Sequence, residues 1–62
     1  MIESVILNEF DTKYFIKDVG YVIIRKLYEH LDITDVFIEE KNRRQGYAYK
    51  ILKFIIENNK NY

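Results

Sequence analysis

The chain contains no cysteine, so no disulfide framework holds it together. A single histidine, His30, excludes a structural zinc site of the cysteine and histidine type. There is no proline and there are only two glycines, Gly20 and Gly46, which makes each glycine informative as punctuation. Charge of either sign is not in excess: ten basic and ten acidic residues cancel. No overall field therefore draws the chain toward nucleic acid or an anionic membrane surface, and neither partner is expected. No apolar run approaches the ~20 residues needed to span a bilayer. The N-terminus lacks a basic region followed by an apolar stretch, so no signal peptide is expected. These absences lead us to expect a soluble, cytoplasmic, globular chain.

Sixty-two residues make one small domain. A chain of this length buries only about 60% of its unfolded surface. The balance of apolar burial against chain entropy then comes out near zero. Without disulfides or a metal, stability must come from an unusually apolar core or from association. The composition supplies the first, with 48% apolar residues, six tyrosines and four phenylalanines. Aromatic rings carry much buried area per residue.

Hydropathy patterning divides the chain in two. Ser4–Phe10 reads as a short strand bounded by Asp11-Thr12. Tyr14–Lys17 and Tyr21–Tyr28 read as one long strand interrupted near Asp18–Gly20, by a tight turn or a glycine bulge. Glu29–Leu31 is a polar break, and Asp32–Glu39 is the next strand. There Ile33 and Phe37 fall on one face and Val36 and Ile38 on the other, as in a central strand. From Gly46 the period lengthens to about 3.6. Ala48, Ile51, Leu52, Ile55 and Asn59 form an apolar stripe, with Lys50, Lys53, Glu57 and Lys60 opposite. Asn58-Asn59 is a helix stop. The fold class predicted is α+β: a small antiparallel sheet of three or four strands within about 4–39, then one amphipathic C-terminal helix over about 46–58. One helix covers one face of a sheet. Val22, Ile24, Val36, Ile38 and several tyrosines are then expected to leave apolar surface on the far side, which implies a homodimer or a protein partner.

The chemistry-bearing segment is Lys41–Ala48, between the last strand and the helix. A helix N-terminus presents unpaired N–H groups and partial positive charge, and both favour a phosphate. Gly46 lets the backbone approach a ligand closely. Arg43 and Arg44 add guanidinium groups that can bind bidentately. A pyrophosphate suits that arrangement. The same two arginines can equally be solvated, or paired with Glu39 and Glu40.

Arg43-x-x-Gly46-x-Ala48 resembles the (Gln/Arg)-x-x-Gly-x-(Gly/Ala) signature of the GNAT superfamily of N-acetyltransferases. The likeness extends upstream through Ile33–Glu40 and includes Gly20-Tyr21, similar to the Gly-Tyr/Phe opening of the preceding strand in that family. The general look is nearest to N-terminal and ribosomal-protein acetyltransferases. The resemblance implies that Arg43, Arg44, Gln45, Gly46, Tyr47 and Ala48 hold the pyrophosphate of acetyl-CoA, largely through backbone amides. It implies that Phe37 and Ile38 contribute backbone groups near the thioester. Asp32 stands where a carboxylate that helps deprotonate the acceptor amine is often found, though the residue also reads as a solvated strand-edge aspartate. No metal is implied, because an amine attacks the thioester directly. The sequence departs from the family in having Glu40 where many members carry proline. It also resembles only the middle of that fold, lacking the strand and helix that follow the signature helix and the helices that shape the acceptor site. His30 reads as a surface residue, Tyr47 and Tyr49 as packing, and the terminal Tyr62 as a remote candidate for a general acid. Two functions follow: acetyl-CoA binding with possible acetyl transfer to an amine, or a non-enzymatic interaction module that uses the uncovered sheet face.

Overall fold

The computed structural model describes residues 1–60. Alternation of apolar and polar side chains produces four strands, β1 (Glu3–Ile6), β2 (Asp11–Ile16), β3 (Gly20–Leu27) and β4 (His30–Ile38). They form one antiparallel sheet in the order β1-β2-β3-β4. A 3₁₀ turn at Glu40–Asn42 leads to the helix α1 (Tyr47–Glu57). The architecture is α+β, as expected, with a four-stranded sheet and one C-terminal helix.

Each hairpin is closed by a different device. Between β1 and β2 the Asn8 side-chain oxygen accepts hydrogen bonds from the backbone N–H of Phe10 (2.8 Å) and Asp11 (3.0 Å). Leu7–Phe10 is therefore loop rather than the end of the first strand, and Asp11-Thr12 opens β2 instead of bounding it. The interruption at Asp18–Gly20 is a turn and not a bulge: the Val19 N–H donates to the Ile16 carbonyl at 2.9 Å, and Asp18 takes a left-handed φ of 63°. The polar break after β3 shrinks to Tyr28-Glu29, with Leu27 paired to His30 and Tyr28 at φ 57°.

Gly20 opens β3 for a steric reason. A Cβ there would collide with the Phe37 carbonyl oxygen and lie 2.8 Å from the Ile38 Cα. Only glycine lets the backbones approach so closely.

Two expectations about β4 are corrected. Among the described residues it is an edge strand, so the apolar residues on both its faces do not mark a central position. Its register against β3 also shifts, with Ile23 opposite Asp35 but Ile24 opposite Ile33, so Thr34 is an extra, bulged residue. The Thr34 hydroxyl donates to the Ile23 carbonyl at 3.2 Å. The bulge reverses the alternation, putting Ile33 on the same face as Val36 and Ile38, with Phe37 opposite.

Helix α1 lies against β3, β4 and β2. Its stripe buries Ile51 and Ile55, which pack with Tyr14, Val22 and Ile24 as the core. Asn59 extends the stripe: its side-chain N–H donates to the Ile55 carbonyl (2.7 Å) and to the Tyr14 hydroxyl (3.2 Å). Val22 and Ile24, expected to add apolar surface to the far side, are fully buried beneath the helix. Val36, opposite Val22, and Ile38, opposite Gly20, face the same way.

Candidate functional site

Between β4 and α1 the chain makes an ordered double reversal. The Glu39 N–H donates to the Val19 carbonyl at 2.7 Å, and the Asn42 side chain donates to the Asp18 carbonyl at 3.3 Å. Both bonds pin the turn to the β2–β3 hairpin. Arg43 Nε donates to the Ile38 carbonyl at 2.9 Å, which orients the guanidinium along the end of β4 and leaves its terminal nitrogens available. The Gln45 side chain donates to the Lys41 carbonyl at 3.2 Å. Among the described residues neither Arg43 nor Arg44 is ion-paired with Glu39 or Glu40.

Arg44 and Gly46 both adopt left-handed backbone, at φ 65° and 79°. For arginine this conformation costs about 1–2 kcal/mol. For glycine it costs little, and the space that a Cβ would occupy at Gly46 is open. Gly46 is the N-cap residue of α1 and supplies no side-chain acceptor to the first turn. That turn also contains no acidic residue. The N–H groups at the start of α1 thus lack the usual side-chain caps, and the positive end of the helix dipole is not offset.

These residues meet in one open groove of about 370 Å³, lined by Val36, Phe37, Ile38, Asn42, Arg43, Arg44, Gly46, Tyr47 and Ala48. Of the residues singled out in the sequence, Phe37, Ile38, Arg43, Arg44, Gly46, Tyr47 and Ala48 are brought together. Gln45 sits in the turn with its side chain folded back on Lys41. Asp32 is not at the groove: it lies within β4, paired across the sheet with Arg25, on the face away from α1. His30 is exposed at the start of β4, and Tyr62 lies outside the described residues. Val36 and Asn42 were missed. Nothing in the sequence marked Asn42, because its role depends on the position of the Asp18 carbonyl. Among the described residues no cluster of His, Asp or Glu is arranged to hold a metal ion. No helix among them is long and apolar enough to cross a membrane.

The face of the sheet away from α1 has its own order. Phe15, Tyr21 and Phe37 stand side by side in one row across β2, β3 and β4. Lys13, Ile23 and Asp35 form the next row. The Tyr21 and Phe37 rings are 5.6 Å apart, and Lys13 Nζ lies 4.8 Å from the Tyr21 ring centre. The Tyr21 hydroxyl donates to Asp35 at 3.2 Å. That bond, with lesser contributions from burial and the carboxylate charge, raises the Tyr21 pKa. Further along, Arg25 binds Asp11 bidentately at 2.8 and 3.0 Å. The Arg25 and Asn8 hydrogen bonds hold the Asp11 carboxyl at about 2.

Comparison with protein-family profiles, curated proteins and solved structures finds no match to this chain.

Proposed function

We propose that this protein binds acetyl-coenzyme A in the groove between β4 and α1, with the pyrophosphate at Arg43–Ala48 and the pantetheine arm along the free edge of β4. One observation carries the reading. A single groove joins a backbone turn suited to a doubly charged anion with a strand whose outer edge has no strand neighbour among the described residues. The uncapped N–H groups of α1 and the glycine at 46 are suited to phosphate oxygens. The Arg43 guanidinium, held by the Ile38 carbonyl, adds charge beside them. An extended thioester arm can take hydrogen bonds from an open strand edge in the manner of an added strand. The resemblance to the GNAT signature supplies the identity of the coenzyme.

If acetyl transfer follows, the acceptor nitrogen attacks the thioester carbonyl carbon and the C–S bond breaks. The thiolate leaves with the bonding electron pair and takes up a proton, and the nitrogen loses one as the amide forms. The groove contains no carboxylate, and Asp32 lies away from it. The proposal is therefore one of coenzyme binding, with no base assigned.

The test is titration of isotope-labelled protein with acetyl-CoA, followed by backbone amide NMR. Shifts are expected at Arg43–Ala48 and at Val36–Ile38. Arg43→Ala should weaken binding about tenfold or more, as expected for loss of charge-assisted hydrogen bonds. Gly46→Asp, which adds negative charge and strains the φ of 79°, should abolish it. No shift at millimolar acetyl-CoA would overturn the proposal.

A further inference from the structure

The segment between β4 and α1 holds Arg44 in left-handed backbone, a conformation unfavourable for any residue with a Cβ. The segment's own hydrogen bonds are local. The Asn42 and Arg43 N–H groups donate to the Glu39 and Glu40 carbonyls, and the Arg43 and Gln45 side chains donate to the Ile38 and Lys41 carbonyls. Bonds of so short a span shape the segment but do not fix it against the β2–β3 hairpin. Among the described residues two hydrogen bonds do so, both at the hairpin tip. One runs from the Glu39 N–H to the Val19 carbonyl at 2.7 Å, the other from the Asn42 side chain to the Asp18 carbonyl at 3.3 Å. The first is main chain to main chain and depends little on the residue at 39. The second exists because residue 42 carries a side-chain donor.

We propose that Asn42 is a positioning residue: by tying the Glu40–Asn42 turn to the hairpin tip, it holds Arg43–Gly46 in the shape that faces the groove. Asn42 is half-buried at the groove wall, but its side-chain N–H is engaged by Asp18, so it acts through the turn and not on a ligand. A backbone in a sparsely populated region persists only where its surroundings over-determine it. Without the Asn42 bond, Arg44 is freer to leave the left-handed region. The turn then opens locally while the core beneath α1 stays closed. A turn already in its bound shape loses less conformational freedom when a ligand arrives, and affinity rises accordingly. The consequence for affinity rests on the coenzyme reading above; the consequence for the free turn rests on the hydrogen bonds alone.

Hydrogen exchange of the isotope-labelled full chain, followed by NMR, tests this. In Asn42→Ala the bonded amides of residues 39, 42 and 43 should exchange roughly three- to tenfold faster than in the wild type, as expected for loss of one hydrogen bond. The Val22 and Ile55 amides, in the core, should be unchanged. Asn42→Asp separates the donor from its shape. The carboxylate has the size of the amide but cannot donate, so at neutral pH this variant should behave like Asn42→Ala. Below about pH 4 the protonated acid can donate, and protection relative to wild type at the same pH should return. Because it carries its own control, Asn42→Asp also decides the question should Asn42→Ala fail to fold. Acetyl-CoA affinity of Asn42→Ala should fall by a similar factor. A wild type that does not bind acetyl-CoA would refute the coenzyme reading and leave the exchange rates to decide this one. Three exchange results would overturn the proposal: rates unchanged in Asn42→Ala, faster exchange that extends equally to Val22 and Ile55, or no recovery of Asn42→Asp at low pH. Acetyl-CoA binding by Asn42→Ala as tight as that of the wild type would overturn its link to the groove.

Discussion

Gly20→Ala probes the close approach of β3 to β4. The added Cβ would meet the Phe37 carbonyl oxygen, the Ile38 Cδ1 at 2.7 Å and the Ile38 Cα at 2.8 Å. The Cδ1 can swing aside, but the other two atoms belong to the backbone, so the end of β4 must move. Overpacking of this kind costs about 1–3 kcal/mol. Against it stands the smaller entropy of the unfolded alanine chain, worth about 0.4–1 kcal/mol. The net destabilisation is then about 1–2 kcal/mol. For a chain this short, total stability is roughly 3–9 kcal/mol, and each kcal/mol moves the melting temperature by about 4–8 °C. Thermal unfolding followed by circular dichroism should show a fall of about 5–15 °C, larger for Gly20→Val. Because Phe37 and Ile38 line the groove, their amide resonances should shift in a folded Gly20→Ala protein, with Ile51 and Ile55 little affected. A Gly20→Ala variant as stable as the wild type would refute the close approach and the position it gives the end of β4.

Tyr28→Gly should raise stability by about 1 kcal/mol, read as a higher urea midpoint, because it relieves a left-handed tyrosine whose side chain is 88% exposed. A lower midpoint would mean that the Tyr28 ring has a packing role. The Asp11–Arg25 pair makes stability pH-dependent in a definite direction. The folded-state pKa of Asp11 is about 2, below its ordinary value of 3.8, so the stabilisation is full above the ordinary value and is lost as pH falls through the folded one. The stability difference between wild type and Asp11→Asn should therefore shrink between pH 5 and pH 2. A difference independent of pH across that window would rule out the bidentate pairing as its source.

The helix was legible in the sequence because its signal is local. Ile51 and Ile55 recur with the helical period and carry the core contacts within a single element. The turn at Arg43–Ala48 was legible for the same reason, being the junction where the period changes. Its partner in the groove was only partly so. Phe37 and Ile38 were singled out, whereas Val36 and Asn42 were not. Their participation depends on the way β4 ends against the β2–β3 hairpin.

The strand boundaries were less secure, since a run such as Ser4–Phe10 is apolar in composition whether it pairs or loops. Asn8 settles the matter by accepting two backbone hydrogen bonds that end β1.

The sequence by itself determined the class of fold, the helical face that is buried and the place of the Arg43–Ala48 turn between the last strand and the helix. Each of these follows from residues within about a dozen positions of one another. Tertiary structure alone decided that β4 is an edge strand among the described residues and that Thr34 bulges. It also decided which apolar side chains lie under the helix and that Lys13, Ile23 and Asp35 share a row. The physical reason is register. A period-two pattern assigns side chains to alternate faces but does not say which strand lies alongside. One bulged residue is enough to exchange the faces for the rest of the strand.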